Sequence, residues 1–157
     1  MAALVAGVER VLEALAKQEQ KIIRAAETGI KRAALHLVAR ARMLAPMDTG
    51  NLQNSVATDG RVYKTSSSLR VIVGATATGG KGAEWNYSAK VHENMKYDGP
   101  NVGGTNTQNR GPRTLKKGIS KIEPSDGSAG GKFLERPMRN KTEVYTNIVM
   151  KNVQKVL

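Results

Sequence analysis

The chain has 157 residues and no cysteine, with 25 lysines and arginines against 13 aspartates and glutamates, a net charge of +12. That length fits one domain, and the missing thiols exclude disulfide staples and thiolate chemistry. Aromatic residues make up only 4% of the chain, so the core must come from Ala, Val, Leu, Ile and Met, a thin core of the kind that oligomerisation supports.

The first predicted element is one long helix from Leu4 to Ala45, stopped by Pro46. Leu4, Val8, Val11, Leu15, Ile22, Ala26, Ile30, Ala33, Leu37, Ala41 and Leu44 recur at helical spacing and form one apolar stripe. At 1.5 Å per residue the helix reaches about 60 Å, more than a small domain can cover. Either it breaks at Gly29, its weakest position, or a second subunit buries part of the stripe. The second alternative is preferred, which makes Leu4, Val8, Val11 and Leu15 candidate interface residues. Lys31, Arg32, Arg40 and Arg42 follow Glu27 with no acid before Asp48. The helix macrodipole accounts for Arg40 and Arg42, and a solvated face for Lys31 and Arg32.

Pro46 disfavours helical angles just before it. Asp48 is then the expected N-cap of a short turn over Thr49 to Asn54, with Leu52 as its apolar anchor and Gly50 tolerated inside it. A β region follows. Ser55 to Thr58 and Arg61 to Lys64 flank Asp59-Gly60, a strong hairpin dipeptide, and Leu69 to Gly74 is the most strand-like stretch. These three runs predict an antiparallel meander covered by the long helix. Tyr87 to Glu93 reads as a short helix.

Between Asp98 and Gly131 lie eight of the sixteen glycines and three of the five prolines. Apolar residues are too few there to offset the ordering entropy, so 96–131 is expected to be a flexible inserted arm within a single domain of 1–157. Its cations Arg110, Arg113, Lys116, Lys117 and Lys121 are the best candidates for phosphate or partner contact. A final helix is expected from Pro137 to the end, with Met138, Tyr145, Ile148, Val149, Val153 and Val156 on its apolar stripe. The fold class is therefore α+β: a long N-terminal helix on a small antiparallel sheet, a short middle helix, a C-terminal helix and a long inserted loop.

No catalytic set emerges. Asp48-Thr49-Gly50 is the tripeptide of aspartic proteases, but it follows a helix and a proline rather than a strand, so capping is the better account. His92-Glu93 has no partner set, and the chain holds just two histidines, too few for a closed zinc site without recurring carboxylates. Gly79-Gly80-Lys81-Gly82 lacks the rest of a phosphate-binding loop. The chain is expected not to be an enzyme and to need no cofactor. Met1 to Val8 is too short for a secretory core, and neither a signal peptide nor a membrane span is expected.

Three stretches stand in a recognisable order. They are Arg42-Met43-Leu44-Ala45-Pro46-Met47-Asp48-Thr49-Gly50-Asn51-Leu52, then Tyr87-Ser88-Ala89-Lys90-Val91-His92-Glu93-Asn94, then Gly131-Lys132-Phe133-Leu134-Glu135-Arg136-Pro137-Met138. This order resembles the neck, or tail-completion, family of tailed bacteriophages, also called minor tail or minor capsid proteins. The resemblance makes Pro46, Asp48, Thr49, Gly50, Leu52, Tyr87, His92, Glu93, Phe133, Leu134 and Pro137 structural motif residues. It departs from the family at the inserted arm. It implies a structural virion protein that forms a ring, hexameric by preference, completing the tail and joining it to the head connector. Implied partners are further copies of itself, connector or adaptor proteins, and tail terminator or tube proteins, with non-specific contact to packaged DNA. The implied location is the virion neck, after assembly in the host cytoplasm. The arm would then order only on meeting its neighbours. The net charge alone supports an alternative, a basic nucleic-acid-binding protein.

Overall fold

The computed structural model describes residues 2–45, 51–77, 86–93 and 131–157. Its first element is α1, Ala2–Leu44, a helix of 43 residues with no break. At 1.5 Å per residue it extends about 65 Å. Gly29 is helical and buried, and the reason lies in α5, Thr142–Gln154. That helix lies antiparallel on α1 and approaches so closely that a Cβ on Gly29 would stand 2.8 Å from Val149 Cα. Only a residue without a side chain lets the two backbones meet there. The seam runs from His36, T-shaped against Tyr145 at 5.7 Å, down to Gln18, whose Nε2 donates to the Val156 carbonyl at 2.7 Å.

After α1 the next described element is α2, Asn51–Ser55, which runs one residue past the expected turn over Thr49 to Asn54; Thr49 and Gly50 lie outside the described residues. The strands are β1 (Val56–Thr58), β2 (Tyr63–Lys64), β3 (Leu69–Arg70) and β4 (Val73–Ala75). They do not form the three-stranded meander predicted from sequence. β1 pairs with β4 and β2 with β3, both antiparallel, so the region is one long hairpin carrying two ladders. The reversal is made at Thr65–Ser68, where Thr65 N–H donates to the Ser68 carbonyl at 2.9 Å.

Asp59-Gly60 is not the hairpin turn but an interruption within one arm. Asp59 Oδ1 accepts from Arg61 N–H at 3.1 Å and Oδ2 from the Tyr63 hydroxyl at 2.7 Å, while Gly60 takes φ +69°. An aspartate that satisfies its own local backbone withdraws it from the ladder. Four residues, Asp59 to Val62, consequently stand against two, Val71 and Ile72. The same interruption divides the stretch Leu69 to Gly74 into β3 and β4.

Among the described residues two helices follow the hairpin before α5: α3, Ser88–Glu93, and α4, Glu135–Asn140. The single helix expected from Pro137 to the end is thus two, beginning two residues earlier and breaking at Lys141, where φ is −116°. Asn140 and Thr142 are weak helix formers, and the Thr142 hydroxyl turns back to the Met138 and Arg139 carbonyls, both at 3.0 Å. Met138, expected on the buried stripe, is 60% exposed and lines an open groove with Ile30, Leu37 and Ile72 instead.

The core lies at the C-terminal end of α1. Val38, Ala41, Leu44 and Ala45 pack there with Leu52, Val56, Ala77 and Phe133. The α+β architecture read from the sequence is therefore the observed one: a long N-terminal helix, a small antiparallel strand set, and short middle and C-terminal helices.

Candidate assembly surfaces

The motif residues within the described part converge on one junction. Leu52, Phe133 and Pro137 are buried, and Tyr87 and Leu134 are packed against the same core. Leu4 lies on α1 with its side chain outside the described residues, and Pro46, Asp48, Thr49 and Gly50 lie outside them altogether, as do Arg110, Arg113, Lys116, Lys117 and Lys121.

The junction is closed by the backbone at Lys132, whose N–H donates to the His92 carbonyl at 2.7 Å. Lys132 adopts φ +54°, a left-handed angle unusual for a residue with a side chain. Its ammonium donates to Glu93 Oε2 and stands 3.4 Å from Glu135, which in turn pairs with Arg139 at 2.6 Å. The Lys132 hydrogen bond, and after it that from His92, hold the Glu93 carboxyl below its ordinary range. Glu93 reciprocally holds the Lys132 ammonium above its own. His92 Nδ1 sits 2.8 Å from Glu93 Oε1, and an ionised carboxylate only accepts, so Nδ1 carries the proton. The ring then stands T-shaped to Phe133 at 5.1 Å. The Glu93 carboxylate, His92 Nδ1 and the Lys132 ammonium are all occupied in joining α3 to the 131–137 segment, while His92 Nε2 is buried with no hydrogen-bond partner among the described residues. His92 and Glu93 are thus a clasp across the two ends of the inserted arm.

Sequence reasoning passed over Asn86 and Ser88. Asn86 Oδ1 accepts from Ser88 N–H at 3.0 Å, and the buried Ser88 Oγ accepts from Ala77 N–H at 2.7 Å. The polar pair just before an apolar helix position was the available signal. Arg42, assigned to the macrodipole, instead donates from Nε to the Val56 carbonyl at 2.9 Å and pins β1 to α1. Arg40 is buried, so it cannot reach a phosphate.

Two apolar surfaces stay open among the described residues. Every residue from 7 to 17 is exposed, and Val8, Val11, Leu12 and Leu15 are 54%, 60%, 60% and 61% exposed. α5 reaches no farther than Gln18, and no described residue covers the stripe beyond it. The second surface is a groove of about 560 Å³ beneath the hairpin, walled by Ile30, Leu37, Ile72, Leu134 and Met138.

Among the described residues no group of three or more His, Asp or Glu could hold a metal ion, and no helix is long and apolar enough to cross a membrane. Comparison of the chain with protein-family models, curated proteins and solved structures gives no match.

Proposed function

We propose that this chain is a non-enzymatic structural subunit of the neck of a tailed bacteriophage, forming a ring that completes the tail and joins it to the head connector. The observation that carries the reading is the uncovered apolar stripe of α1, four large side chains more than half exposed on a helix that outruns its own domain. Isolated surface apolar residues are ordinary, but a contiguous stripe marks a contact surface.

A closed ring of more than two copies needs two different, complementary surfaces on each subunit. The α1 stripe and the groove beneath the hairpin are separate apolar surfaces of this kind. The three motif stretches in order support placing the ring at the neck, with connector and tail proteins as its neighbours and six copies as the favoured number. Light scattering and negative-stain imaging of the purified protein test the reading, and a ring is the expected result. A stable monomer with its first helix covered would overturn it.

A further inference from the structure

We infer that the face of the α1–α5 layer turned away from the hairpin is a docking surface for the phosphate backbone of a nucleic-acid duplex. The inference rests on where charge is placed and is independent of the ring.

At about 100° per residue, Arg10, Lys17, Lys21, Arg24, Lys31 and Arg32 fall within one arc of roughly 100° on α1. All six are exposed. The hairpin-facing residues Ala34, Leu37 and Ala41 fall on the other side of the helix. Arg32 Nη1 donates to Asn152 Oδ1 at 2.7 Å, which fixes the flank of α5 that continues this face. In an antiparallel pair that flank carries Lys151 and Lys155, both exposed. Glu13 is the one acid inside the arc, at its edge, and it is paired with Lys17 at 2.7 Å. Glu9, Glu19, Glu27 and Glu143 all project outside it. The face is therefore strongly positive while the rest of the two helices holds the acids.

The shape of the patch selects the ligand. From Arg10 to Arg32 the cations run about 33 Å in a line, close to one turn of duplex. Among the described residues no aromatic side chain on this face offers a base a stacking partner, since Tyr145 is turned into the seam against His36. Long flexible cations without stacking platforms contact phosphates rather than read bases, so the binding is sequence-independent. Phosphate contact by this face would also explain why Lys21, Arg24 and Lys31 have no ion-pair partner among the described residues.

The test is fluorescence anisotropy of the full-length protein with a labelled duplex of about 30 base pairs and arbitrary sequence, across a salt series. The wild-type chain should bind with a Kd of roughly 1–100 µM at physiological salt. The triple variant Lys21→Gln, Arg24→Gln, Lys155→Gln should bind at least about tenfold more weakly and lower the slope of log K against log salt by about 3. Lys64→Gln, Arg70→Gln, Lys90→Gln removes the same charge from exposed positions elsewhere and should keep most of the affinity. Circular dichroism confirms that each variant folds. Four results would each overturn the inference: no wild-type binding, equal loss in both triple variants, binding abolished only by replacing the arm cations, or polyglutamate bound as tightly as the duplex.

Discussion

Phe133 is the largest fully buried side chain among the described residues, and it touches both halves of the junction that the inserted arm separates in sequence. Truncating it leaves a cavity where α1, α2 and β1 meet. Phe133→Ala should cost about 3–5 kcal/mol, a large fraction of the 5–15 kcal/mol that holds a domain together. Urea denaturation measures it directly, and a loss below about 1 kcal/mol would mean the site collapses without a void. At the surface of the same junction, Glu93 is shifted down from its ordinary value of 4.5 by Lys132 first and His92 second. A depressed carboxyl contributes stability that is complete above its unfolded value and is lost as pH falls through its folded one. The clasp should therefore loosen on the acid side of 4.5, and Glu93→Gln should flatten that limb of the stability curve by lowering the neutral plateau slightly while leaving the acid end little changed. Lys132 has the opposite sign: its raised value means its contribution persists through neutral pH and disappears only in strong base. The sequence placed His92, Glu93 and Phe133 in the right stretches. It could not show that they meet, because their contact spans the arm and rests on the left-handed backbone at Lys132, which no residue type announces.

At the scale of elements, α1 was legible because one apolar period persists from Leu4 to Leu44, and periodicity over that many turns outweighs one weak position. Gly29 is that position by propensity alone, and the helix runs through it unbroken. Its value is set by Val149 on another helix, which local propensity does not contain. Gly29→Ala separates the two effects. Alanine gains about 1 kcal/mol of helix propensity, yet its Cβ would stand 2.8 Å from the Val149 backbone. Backbone cannot swing aside as a side chain can, so α5 must shift. The net change should be destabilising by up to about 2 kcal/mol, the overpacking cost of about 1–3 kcal/mol less the propensity gain. Hydrogen exchange would localise the loss to the α1–α5 seam, and a net gain in stability would show the seam to be loose. The strands were legible as strands, but their pairing was not. Asp59-Gly60 has the composition of a hairpin turn, and the Asp59 side-chain bonds that make it a bulge instead depend on Tyr63 and Arg61 nearby.

Over the whole molecule, the balance between subunit and assembly is decided at the exposed end of α1. Leu15 is 61% exposed and Leu44 is 1% exposed, though both belong to one stripe. A charge at Leu44 enters the core and should unfold the subunit. A charge at Leu15 meets water in the free subunit, where surface substitutions stay within about 0.5 kcal/mol. In an assembly that buries this position it removes a leucine contribution of about 1.5–3 kcal/mol and adds the cost of a desolvated carboxylate. Leu15→Asp should therefore leave the melting temperature of the dissociated subunit unchanged and weaken association by at least about a hundredfold, the equivalent of 2.7 kcal/mol. Sedimentation over a concentration series reads the second quantity, and thermal melting under dissociating conditions reads the first. Val11→Asp, one turn away on the same stripe and 60% exposed, should repeat the result. Glu9→Lys, on an exposed flank outside both the stripe and the basic face, should not. If Leu15→Asp lowers the subunit's own stability while association is untouched, the stripe is covered within the chain, and the over-long helix is no longer a reason for assembly.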